Sequence, residues 1–94
     1  MKHVVVRYTY APEHAAERDV RRPEHRAWLA GLVDRGAVVT TGPFADGSGA
    51  FIVARGADAA AVEKLFDDDP FARAGLVAAR EFVEWTPVMG AFSE

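Results

Sequence analysis

Hydrophobic residues in this chain repeat with a period of two, then about 3.6, then two, and the same succession returns before the chain ends. That alternation limits the fold more than any other feature. In KHVVVRYTY, Val4, Val6, Tyr8 and Tyr10 share one side while His3, Val5, Arg7 and Thr9 share the other. β-branched and aromatic residues dominate this stretch, which predicts a first strand. The polar segment APEHAAERDVR begins its turn chemistry at Pro12 and reads as a loop or an irregular helical turn. From Pro23 to Arg35 the spacing becomes helical, with Trp28, Leu29, Leu32 and Val33 in one stripe. Pro23 suits a first turn there, and Gly36 suits a left-handed stop. AVVTTG and AFIVARG read as two strands, and the PFADGSG between them as a hairpin connection. Asp58 caps a second helix that carries Val62, Leu65 and Phe66 on one face and cannot run smoothly into Pro70. LVAAREFVEW alternates once more, a fourth strand closed by Pro87.

The order βαββαβ is that of a ferredoxin-like split βαβ unit, an α+β fold whose antiparallel sheet carries both helices on one face. With 94 residues the chain is expected to form a single domain over 1–94, because a second core could not be filled. Half of the residues are hydrophobic (50%), so the sheet face without helices has apolar side chains to cover. Two such faces brought together predict a homodimer. Without cysteine there is no disulfide or thiolate chemistry, and a reducing, cytoplasmic setting is permitted. A formal net charge of -3, with arginines scattered rather than gathered, argues against nucleic acid as a partner. No apolar run is long enough for a membrane span, and MKHVVVRYTY has neither the continuous apolar core nor the cleavage site of a signal peptide.

Two side chains stand out for chemistry. His25 precedes Trp28, Leu29 and Leu32 by three, four and seven residues, which sets it on the buried stripe of the first helix. A titratable ring there is either a core histidine satisfied by a carbonyl or a general acid/base. Asp69 stands before Pro70, which pushes it into an extended conformation suited to capping the turn PFARAG. Asp67 and Asp68 read as a solvated helix end, unfavourably placed against the helix dipole. A contact between Asp69 and His25 needs the chain to fold back after Pro70, and the residues alone leave that open. Gly42 and Pro43, with Gly47 and Gly49 nearby, either expose backbone at a cleft mouth or simply make turns. Phe71 and Trp28 are candidates for a pocket wall or for core. Metal and cofactor motifs are lacking: there is no His-x-x-x-His, the three histidines fall on different elements, and GPFADGSG has no phosphate-loop lysine. Neither serine has an adjacent base.

RRPEH followed by WL, then GAVVTTGP, DGSG and DDDPFARAGL, together resemble the YCII family of small ferredoxin-like proteins over nearly the whole chain. The resemblance implies a dimeric α+β barrel with a His–Asp pair in a cleft, here His25 and Asp69. One member of that family is a dehydrochlorinase acting on a hydroxylated chloroaromatic ring. By the same resemblance Arg22 is available to a carboxylate or phenolate, where the residue alone reads equally as a surface arginine near a helix start; Gly42, Pro43 and Phe71 are the further candidates for the substrate site. The expected function is cofactor-independent proton transfer, an elimination or isomerisation of a cyclic oxygenated substrate. The alternative is a non-catalytic small-molecule-binding or accessory dimer domain.

Overall fold

Residues 1–93 are described by a computed structural model. Strand β1 (Lys2–Thr9) is central, and its alternation holds: Val4, Val6 and Tyr8 are buried on the helix side. Helix α1 (Ala15–Asp34) follows a short 3-10 turn at Pro12–His14. Next come β2 (Val38–Pro43), β3 (Gly49–Gly56), α2 (Ala59–Phe66), α3 (Pro70–Arg73) and β4 (Ala79–Trp85). The sheet order is β2-β3-β1-β4 with every neighbouring pair antiparallel, the arrangement expected of the split βαβ unit.

The first helix begins eight residues before Pro23, so that proline lies inside α1 rather than in its first turn. Proline withholds one backbone donor and costs a helix interior about 3 kcal/mol. Burial of His25, Leu29 and Leu32 on the turns after the proline outweighs that cost. Arg18 is buried on the segment expected to be a loop. Its Nη1 donates to the Ala11 carbonyl at 2.9 Å, and its guanidinium lies 4.5 Å from the Tyr10 ring centroid. Ion pairs of Arg21 with Glu17 and Glu24, and of Arg22 with Asp19, brace the turns on both sides of Pro23.

The core lies between sheet and helices: Val4, Val6, Ile52 and Ala54 from the sheet meet Leu29 and Leu32 from α1 and Val62 and Phe66 from α2. Each large side chain buried in this way contributes roughly 1.5–3 kcal/mol. Helix α2 starts as expected, with Asp58 Oδ1 accepting from Ala61 N–H at 2.8 Å. Glu84 on β4 ties the same helix start to the sheet. It accepts from Ala59 N–H and pairs with Lys2, which together hold its carboxyl below the usual range.

Between β2 and β3 the register shifts at Val39, where a bulge separates the Val38–Ala54 and Thr40–Val53 pairs. One extra residue changes which side each later residue faces. Thr41 and Pro43, opposite Ile52 and Ala50, therefore lie on the helix side of the sheet. Among the described residues no helix is long and apolar enough to cross a membrane.

Candidate functional site

Asp69 is wholly buried and is held from three directions. As the residue before Pro70 it is extended (φ −59°, ψ 126°), and its Oδ1 accepts from Phe71 N–H at 2.9 Å, the N-cap expected from the sequence. The same Oδ1 lies 2.7 Å from His25 Nδ1, and Oδ2 accepts from the Tyr8 hydroxyl at 2.7 Å. A carboxylate without partners in such a place would carry a large desolvation penalty; these contacts offset it.

The fold-back that the sequence left open is made by α3. Four residues long, it packs on α1, ends at Gly75 in the left-handed conformation (φ 72°) and is anchored by the buried Phe71. Phe71 lies flat on the His25 ring, with centroids 3.9 Å apart and planes within 1°. Tyr10 closes on Phe71 edge-first at 6.0 Å. The imidazole is thus clamped by a ring on its face and a carboxylate at Nδ1. Its Nε2 makes no hydrogen bond to any described residue.

Burial, then the negative charge of Asp69 and the hydrogen bond to it, raise the Tyr8 phenol well above its ordinary pKa, so it remains a proton donor to the carboxylate. Tyr10 is pushed up to about 12, again by burial first and Asp69 second.

His25 opens onto a cleft of about 360 Å³ between α1 and the β2–β3 side of the sheet. Arg22, Arg26, Leu29, Ala30 and Val33 of α1 form one wall, and Thr41, Gly42, Pro43 and Ala50 the other, with Tyr10 and Phe71 also lining the cleft. Thus His25, Arg22, Gly42, Pro43 and Phe71 all reach the cavity, while Asp69 stands behind His25. A larger groove of about 750 Å³, beside His3, Arg55 and Trp85, has none of these residues in its walls.

Three candidates fall elsewhere. Trp28 packs edge-on against Phe66 at 5.3 Å, within the core. Gly47 takes a left-handed turn conformation (φ 75°) in the hairpin. Gly49 is buried where β3 meets β1, so close to the Tyr8 carbonyl that a Cβ would overlap it. Asp67 and Asp68 are paired as well as solvated, to Arg80 and Arg73, each at 2.8 Å. These cations compensate for acids at a helix C-terminus. Among the described residues no group of three or more His, Asp or Glu side chains gathers as a metal site would require.

Sequence reasoning missed Tyr8, Tyr10 and Arg26 as parts of this region. A signal existed for Tyr8: its alternation puts a phenol on the core face, and a buried hydroxyl needs a partner.

A model of the YCII-related domain matches residues 1–86. The chain belongs to the YCII-related family. Among solved structures, this YCII-related chain is similar to 5-chloro-2-hydroxyhydroquinone dehydrochlorinase (TftG) from Burkholderia phenoliruptrix AC1100, in complex with 2,5-dihydroxybenzoquinone. That match has a TM-score of 0.79 and 22% identity, covering 98% of this chain and 99% of the other. A protein from Bacteroides thetaiotaomicron VPI-5482, described as an antibiotic biosynthesis monooxygenase, matches with a TM-score of 0.53 and 18% identity over 99% of this chain and 94% of its own. At these identities the likeness is one of fold, the ferredoxin-like α+β architecture. No curated protein matches the sequence.

Proposed function

We propose that this YCII-related protein is a cofactor-independent enzyme in which His25 transfers a proton on a small, oxygenated cyclic substrate while Asp69 holds the imidazole. The observation that carries this reading is the 2.7 Å contact between His25 Nδ1 and a wholly buried carboxylate, beside a cleft open to ligands. A carboxylate whose other contacts are donors accepts from Nδ1–H, which leaves the lone pair of the neutral imidazole on Nε2. That nitrogen takes a proton from an O–H or C–H of the substrate. The released electron pair forms a new π bond and expels an anion from the ring in an elimination, or is reprotonated at another atom in an isomerisation. Asp69 offsets the positive charge that the ring carries between the two steps.

Arg22 supports a developing oxyanion on the substrate, and Phe71, Gly42 and Pro43 shape the space for a flat ring. The dehydrochlorinase with the same fold is described in complex with 2,5-dihydroxybenzoquinone, which makes hydroxylated, halogenated rings the first substrates to try. The protein acts as a homodimer through its open sheet face, in the cytoplasm; the exposed Phe51, Val83 and Trp85 and the lack of cysteine support this.

The test is turnover. Incubation with 5-chloro-2-hydroxyhydroquinone and related hydroxyhydroquinones, followed by halide release and ring absorbance, should show a reaction that His25→Ala slows by a factor of at least about 100 with the far-UV spectrum unchanged. Asp69→Asn should slow it as well while leaving substrate binding. A His25→Ala variant with undiminished turnover would refute the assignment.

A further inference from the structure

The α1 wall of the cleft carries more positive charge than proton transfer through His25 requires. Arg22, Arg26, Leu29 and Val33 recur three and four residues apart, with His25 next to Arg26, and all line the cavity. Opposite them, Thr41 to Pro43 and Ala50 contribute no ionisable side chain, and no carboxylate is among the lining residues. Two guanidiniums therefore border a largely apolar space in a chain whose formal net charge is -3. Apolar walls with charge of one sign at the border focus the field and concentrate ligands of the other sign.

The two arginines are not equivalent. Arg22 Nη1 already donates to Asp19 Oδ1 at 2.5 Å. Arg21, one residue earlier, is held by Glu17 and Glu24 away from the cavity. Arg26 pairs with no acid among the described residues; it lies one turn of helix from Arg22, follows His25 directly, and lines the same cavity. Its five donors are left for a ligand.

We propose that Arg26 is a specificity-determining residue that selects substrates entering the cleft as anions: a flat ring bearing a negatively charged oxygen, either a carboxylate or an ionised ring hydroxyl. The inference rests on reading the cleft as the substrate site, and it goes beyond that reading by fixing the charge of the substrate and the residue that recognises it. The ring lies among Leu29, Val33 and Phe71, and the oxyanion meets Arg26, where it also screens the repulsion between the two guanidiniums.

Binding of 4-hydroxybenzoate and of 4-hydroxybenzamide, equal in shape and different in charge, tests this by calorimetry or amide NMR shifts. The acid should bind about tenfold more tightly than the amide, the effect of one charge-assisted hydrogen bond. Arg26→Gln should bring the two within about twofold, Arg26→Lys should restore much of the gap, and Arg21→Gln, which removes the same charge outside the cleft, should leave it. Binding of 4-nitrophenol that strengthens as the phenol ionises would show that a ring hydroxyl also serves as the anion. Equal binding of acid and amide, a gap that survives Arg26→Gln, or no binding of either probe at millimolar concentration would overturn the proposal. Because the readout is binding, failure here is separate from failure of His25→Ala to lose turnover.

Discussion

At the residue scale, Tyr8 and Asp69 satisfy one another: a core phenol needs an acceptor, and a buried carboxylate needs donors. The arrangement has a cost at high pH. In the unfolded chain both tyrosines lose their protons near the ordinary value of 10.0, while in the fold Tyr10 keeps its proton to about 12 and Tyr8 beyond that. Above pH 10 the unfolded state therefore binds fewer protons than the native one. The stabilisation is fully present below that pH and is lost as pH rises, by about 1.4 kcal/mol per unit for each tyrosine, less for the half-buried Tyr10. Urea melts from pH 8 to 11.5 should be flat and then fall. Tyr8→Phe should cost about 1.5–3 kcal/mol at neutral pH through the lost donor to Asp69, and should flatten the fall. Stability in the wild type that stays level through pH 11.5 would contradict the assignment. His25 and Asp69 were each legible in the sequence, one from its helical stripe and the other from the proline behind it. Their meeting followed only from the family resemblance and not from periodicity or capping, because it depends on where the four residues Pro70–Arg73 come to rest.

At the scale of elements, periodicity located all four strands and both long helices, since a pattern of two or 3.6 persists over each. It failed where a contact outside the apolar pattern decides. APEHAAERDVR has no apolar stripe to announce a helix; Arg18 turns most of it into one by reaching the Ala11 carbonyl and the Tyr10 ring. The bulge at Val39 leaves no signature in VVTT either, yet it turns Thr41 and Pro43 toward the cleft. Pro23 within α1 gives a direct measurement. Alanine at that position restores an N–H to the helix ladder and removes the ring's clash with the preceding turn, so Pro23→Ala should stabilise the fold by about 1–3 kcal/mol. A thermal or urea melt that shows a loss of stability would mean that the helix depends on the proline's shape.

The whole molecule has two unlike faces. The helices cover one side of the sheet; on the other, Val5 sits between Val53 and Val83, and Phe51, Val83 and Trp85 are 40%, 51% and 41% exposed. A second copy laid on this face buries the same residues twice by two-fold symmetry, and a stable pair needs roughly 1,000 Å² or more of total buried area. The wild type should therefore sediment as a dimer at micromolar concentration. Val83→Asp, which places a charge at the centre of the contact, should shift it to monomer, because a charge buried there without a partner costs several kcal/mol. A folded wild-type monomer at that concentration would end the proposal. The cleft with His25 lies on the helix side, away from this face. Dissociation by Val83→Asp should accordingly leave 4-hydroxybenzoate binding in place, whereas loss of both together would mean that the partner copy helps to shape the site.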